Sequence, residues 1–131
     1  MIRPIKNGRL TNKARGGIWT SPLNSSHSWK NWCNGTNWRN YPEDLNFKLR
    51  FNKDSKILLI NNIEDLNDLP LVKELEFIGA IDFESLSKEC DAIWLTEKGL
   101  RETEDIWPVS LMGWDCETVH IFNSKCCYQI N

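Results

Sequence analysis

The sequence predicts an α+β fold in a single domain spanning residues 1–131. Three observations lead there. Short apolar stretches of strand length recur at 18–21, 47–51, 57–60, 92–95 and 117–122. Capped segments with helical spacing lie among them, and the two kinds do not alternate as a doubly wound βαβ sheet requires. At 131 residues the chain is also long enough to bury a sizeable core.

Residues 1–15 are basic, carry a turn signal at Asn7-Gly8 and hold one short extended segment. Ile18–Ser21 reads as a strand entered through the glycine pair Gly16-Gly17. Asn24, Ser25 or Ser26 then caps a helix whose Trp29, Trp32 and Cys33 share one face. Asn34–Pro42 has loop composition. Phe47, Leu49 and Phe51 alternate with Lys48 and Arg50, the pattern of a half-buried strand, and Asn52-Lys53-Asp54-Ser55 turns it into Ile57–Ile60 as a hairpin. Asn62 caps a helix burying Ile63, Leu66 and Leu69 and stopped by Pro70. Leu71–Ala80 fits helix and strand equally. Asp82 caps a helix with Phe83, Leu86 and Cys90 inward, and Ala92–Leu95 is a strand. Thr96–Gly113 reads as a long irregular segment, Glu117–Phe122 as the last strand and Ser124–Asn131 as a tail.

Composition narrows the function classes. No apolar run approaches the roughly 20 residues of a membrane span, and Met1-Ile2-Arg3-Pro4 lacks the apolar core of a signal peptide. A cytoplasmic protein without a membrane partner is expected. Five cysteines, odd in number and without a CxxC pair, read as reduced thiols, and adjacent Cys126 and Cys127 rarely meet disulfide geometry. Two histidines and scattered thiols lack zinc-ligand spacing, so no metal is expected. The net charge of −2 hides an asymmetry: residues 1–42 hold seven basic and no acidic residues, the remainder nine basic and eighteen acidic. A basic third suits a phosphate-bearing partner or a solvated surface paired with the acidic remainder.

Two segments carry candidate chemistry. Gly16-Gly17-Ile18-Trp19-Thr20-Ser21 and Ser25-Ser26-His27-Ser28-Trp29 set close-approach glycines, hydroxyls and indoles at adjoining strand and helix ends, a combination suited to holding a planar ring. Trp114-Asp115-Cys116-Glu117-Thr118-Val119-His120-Ile121-Phe122 sets Asp115 and Glu117 on the strand face of Val119 and Ile121. A carboxylate there sits either at the exposed rim or in a hydrogen-bonded cleft. Structural readings stand beside these: Trp19, Trp29 and Trp32 as packing, His27 and His120 as structural or surface groups, and Cys116 as core. Seven tryptophans with a basic N-terminal third also fit stacking on single-stranded nucleic acid.

Together the two segments resemble the ADP-ribosyltransferase superfamily. Gly17-Ile18-Trp19 and the Ser26-to-Trp29 segment look like the glycine-apolar-aromatic strand, serine turn and aromatic helix of its poly-ADP-ribose-polymerase branch, with Trp19 in the place of tyrosine. Trp19-Thr20-Ser21 is similar to a shortened aromatic-Ser-Thr-Ser motif of the toxin branch. Glu117 matches the late-strand glutamate of both, and Asp115-Cys116-Glu117 the glutamate-x-glutamate variant with aspartate first. The resemblance covers about residues 16–33 and 114–122.

It implies a split, mostly antiparallel sheet core with flanking helices and NAD as substrate. It implies Glu117 as the group stabilising an oxocarbenium-like transition state and Asp115 as the group orienting or deprotonating the acceptor. Gly17, Trp19, Thr20, Ser21, Ser26 and Trp29 would form the NAD site, with Arg3, or else Arg9 or Arg15, toward the phosphates. The acceptor it implies is a target protein or nucleic acid, as for compact toxins or phage proteins, with a neutralising partner protein as a possible companion. A non-catalytic interaction or inhibitor protein retaining the fold, and an enzyme directed at nucleic acid, are the alternatives.

Overall fold

Among the described residues, six strands form two sheets: β1 (Ile18–Thr20), β2 (Lys48–Phe51), β3 (Ile57–Ile60), β4 (Ala92–Leu95), β5 (Thr118–Ile121) and β6 (Cys127–Ile130). This computed structural model describes residues 2–8, 11–36 and 47–130. The expectations for Arg9, the Trp32 side chain and residues 37–42 lie outside them. The larger sheet has the order β1-β5-β4-β3, and the smaller pairs β2 with β6. β1 and β4 both run antiparallel to β5, whereas β3 and β4 are parallel. A parallel pair needs a crossover of a dozen or more residues, which residues 61–91 supply. The architecture is α+β.

Register fixes what each face of the larger sheet carries. Trp19 lies opposite His120 and Ile93 opposite His120 from the other side, so these three share a face. Thr20, Val119 and Trp94 share the other. The first face packs under the crossover and the segment 96–114, in a core containing Ile60, Phe83, Leu86, Leu95, Leu100, Leu111 and Trp114. The second meets the small sheet through Ala92, Val119 and Ile121 against Leu49, Phe51 and Cys127.

The predicted 52–55 hairpin does not form. Phe51 pairs with Cys127 in the small sheet, whereas Ile57 pairs with Ala92 in the large one. The connection is tied elsewhere: the Asn52 N–H and the Ser55 hydroxyl both donate to the Cys126 carbonyl, and Lys56 N–H donates to Asp91. The expected C-terminal tail is accordingly the strand β6. A local turn signal cannot choose between Ile57, six residues from Phe51, and Cys127, seventy-six residues from it.

Helix α1 (Trp29–Thr36) starts where expected but runs into the segment read as loop. Its first-turn cap is Ser28, whose hydroxyl accepts from Asn31 N–H, rather than Asn24, Ser25 or Ser26. Asn62 and Asp65 make a reciprocal capping box on a 3-10 turn, Ile63–Leu66, with Leu66 and Leu69 buried and Ile63 exposed. Residues 73–78 are also 3-10. α2 (Phe83–Leu86) carries the Asp82 cap as read.

The segment expected to be irregular holds α3 (Glu97–Thr103), capped by Thr96. Gly99 disguised it as a breaker. A Cβ there would stand 2.2 Å from the Ile60 carbonyl oxygen, so glycine is needed for helix and strand to touch.

Candidate active site

Glu117 immediately precedes β5, and the serine-rich connection between β1 and α1 wraps around it. Its N–H donates to the His27 carbonyl at 2.7 Å, and its own carbonyl accepts from the Ser21 hydroxyl at 2.9 Å. Ser21 in turn accepts the Trp29 N–H at 2.9 Å, one of the donors a helix start leaves open. The carboxylate is held at both oxygens: Ser25 Oγ donates to Oε1 at 2.5 Å and Trp94 Nε1 to Oε2 at 2.9 Å. Ser25 Oγ also accepts from His27 N–H at 3.1 Å. Sequence reading missed Trp94, because its position beside Glu117 follows from the pairing of β4 with β5.

A groove of about 330 Å³ runs along the same sheet face, between the two sheets. Thr20, Ser21, Trp94 and Val119 line its large-sheet side, and Phe47, Leu49 and Phe51 the other. Lys48 is the charged residue among the lining groups. Glu117 borders the groove through Trp94, whose ring faces the space while its indole N–H holds the carboxylate. The size is at the lower end of the roughly 300–1,000 Å³ of small-molecule pockets.

The convergence of Trp19 and Glu117 on one groove is not what the fold produces. Trp19 lies on the opposite sheet face, stacked on His120 with centroids 4.0 Å apart and packed edge-on to Trp114 at 4.9 Å and Trp29 at 6.3 Å. Lys13 Nζ caps the outer side, 5.2 Å from the Trp19 ring and 5.0 Å from the Trp29 ring. The sheet separates the Trp19 side chain from Glu117, and the Trp29 ring packs against Trp19 while its backbone N–H reaches Ser21.

His120 is fully buried, with Nε2 2.9 Å from the Gly16 carbonyl oxygen. Burial pushes its pKa down to about 4, against the raising effect of the Gly16 hydrogen bond and with Lys13 adding repulsion. The imidazole is neutral near pH 7.

The remaining candidates divide. Gly17, with φ of 68°, lets the sheet close over the chain's own backbone: a Cβ would stand 2.5 Å from the Ile121 carbonyl oxygen. Its N–H donates to the Arg3 carbonyl, while the Arg3 side chain is exposed. Thr20 and Ser21 do reach the Glu117 face, Thr20 Oγ1 donating to the Val119 carbonyl at 2.6 Å. Ser26 turns outward and donates to Glu97 at 3.0 Å. Asp115 is half-buried. Cys116 is buried, and burial raises its thiol to about 12, so it is no nucleophile. Asn12, which the sequence did not single out, is a buried hub donating to the Gly79 and Ser110 carbonyls and accepting from Ile81 N–H.

Among the described residues no group of three or more His, Cys, Asp or Glu is placed to hold a metal, and no helix is long and apolar enough to cross a membrane. No protein-family model, curated protein sequence or solved structure matches the chain.

Proposed function

We propose that the protein transfers ADP-ribose from NAD to a macromolecular acceptor, with Glu117 as the catalytic carboxylate and the neighbouring groove as the nicotinamide–ribose subsite. One observation carries this reading. Glu117 is fixed by a donor at each oxygen at the margin of an apolar groove, and each oxygen keeps a further lone pair for a ligand hydroxyl.

Cleavage of the nicotinamide–ribose bond passes through an oxocarbenium-like state, as in glycoside hydrolysis. A carboxylate already oriented accepts from the ribose 2′-hydroxyl and offsets the growing positive charge without reorganising. Ser25 and Trp94 are the positioning residues. In this reading the aromatic wall for the nicotinamide is Trp94 and not Trp19, which the sheet holds away. A groove of about 330 Å³ takes one ring and sugar, leaving the pyrophosphate toward the surface.

The test is release of nicotinamide from labelled NAD, alone and with cell lysate as acceptor, by the natural chain and by Glu117→Gln. Release that falls strongly in the variant supports the proposal. Absence of release under every condition, or equal release by the variant, rejects it.

A second reading rests on a different feature of the same site. Both Glu117 oxygens are already bonded to protein donors that tie the 21–28 connection to β4. That suits a structural latch beside a groove that binds a partner without chemistry. Here Glu117→Gln lowers stability and leaves no activity to lose.

A further inference from the structure

We infer that a second concavity, on the layer covering the Trp19 face of the sheet, docks a basic peptide segment through one apolar anchor side chain. The concavity measures about 270 Å³ and is walled by Leu66, Leu69, Leu71, Ile106, Trp107 and Val109. Leu66 and Leu69 belong to the main core, so its floor is rigid, whereas the Trp107 side chain is 75% exposed at its edge. Tryptophan is among the side chains that contribute most binding energy when an interface desolvates them, and an exposed apolar patch marks an interaction site.

Charge identifies the occupant. The two segments forming the walls, 63–71 and 104–109, contain five carboxylates and no basic residue. Asp65 is committed to the capping box. Glu64, Asp68, Glu104 and Asp105 are exposed. The ion pairs on neighbouring α3, Lys98–Glu102 and Arg101–Glu97, are internal to that helix. An apolar hollow whose wall segments carry four exposed carboxylates selects an apolar residue flanked by Lys or Arg, and repels acidic chains.

The experiment uses an array of synthetic decapeptides, each with one Leu, Ile, Phe or Trp flanked on both sides by Lys or Arg. Binding to the full chain is read by fluorescence anisotropy. Members of the array should bind, about tenfold or more weakly to Trp107→Ala and to Asp68→Lys combined with Glu104→Lys, with affinity falling as salt rises. Circular dichroism checks that both variants fold. Replacing the apolar residue by Ser should lose at least as much. No binder in the array, or binders indifferent to Trp107→Ala or to the Ser replacement, overturns the inference. Concentration-dependent dimerisation abolished by Trp107→Ala would overturn it in favour of a second copy as the occupant.

Discussion

Trp19 and His120 face each other across β1 and β5 and stack at 4.0 Å on one side of the sheet, while Glu117, three residues before His120, is held by Trp94 on the other side. An odd offset along a strand reverses the face. Ring stacking and carboxylate chemistry are therefore separate in this protein, and substitutions at the two sites should have separable effects.

Glu117→Gln keeps size and shape but removes the charge. Nicotinamide release should fall by about 10²–10³-fold, the scale seen when one preorganised stabilising group is lost from an active site. Rates measured at saturating NAD, with the folded fraction determined in parallel, check this.

Trp19→Ala and Trp94→Phe should diverge. Truncating Trp19 removes a ring packed on His120, Trp114 and Trp29 and should cost about 3 kcal/mol of stability, at the lower end for large aromatic truncations because the ring is half-buried. Activity per folded molecule should persist. Trp94→Phe keeps a ring in the groove but deletes the donor to Glu117, and should reduce kcat more than it reduces the denaturation midpoint. Urea titration with steady-state rates on both variants separates the outcomes.

Acid should weaken the fold through His120. Its folded pKa of about 4 lies below the ordinary 6.5, so the unfolded chain binds more protons in between. Stability from this group is complete above pH 6.5, declines as pH falls toward 4, and is flat below that, a total of about 3 kcal/mol. Lys13, the nearby cation, adds to the penalty of protonation. His120→Phe retains a stacking ring and should flatten that part of the stability–pH curve, even though it forfeits the Gly16 hydrogen bond.

Gly17→Ala should destabilise by more than about 2 kcal/mol, since left-handed backbone alone costs a side chain 1–2 kcal/mol and the added carbon meets the Ile121 carbonyl oxygen and His120. Thermal unfolding measures it. Loss of stability without loss of NAD affinity would mark this glycine as serving chain packing and not a ligand.

Much of the architecture was legible in local pattern. β1, β4, β5 and the Asp82 and Asn62 caps follow from apolar spacing and capping chemistry, both properties of a few adjacent residues. α3 was hidden by Gly99, whose reason for being glycine lies in Ile60, nearly forty residues earlier. Asn12 looked like an ordinary loop residue because its three backbone partners are 67 to 98 residues away.

By itself, the sequence determined which segments could be strand or helix, that Glu117 would sit with Val119 and Ile121 on one strand face, and that the basic and acidic residues would be segregated. Only the tertiary structure decided that Phe51 pairs with Cys127 instead of turning back on Ile57, that Trp94 rather than Trp19 accompanies Glu117, and that Trp107 shares a concavity with Leu66 and Leu69. The physical reason is one of range. Periodicity and capping act within a turn or two of chain, whereas strand partnership is chosen by which distant apolar faces can be buried together, and a strand's two faces go to different neighbours.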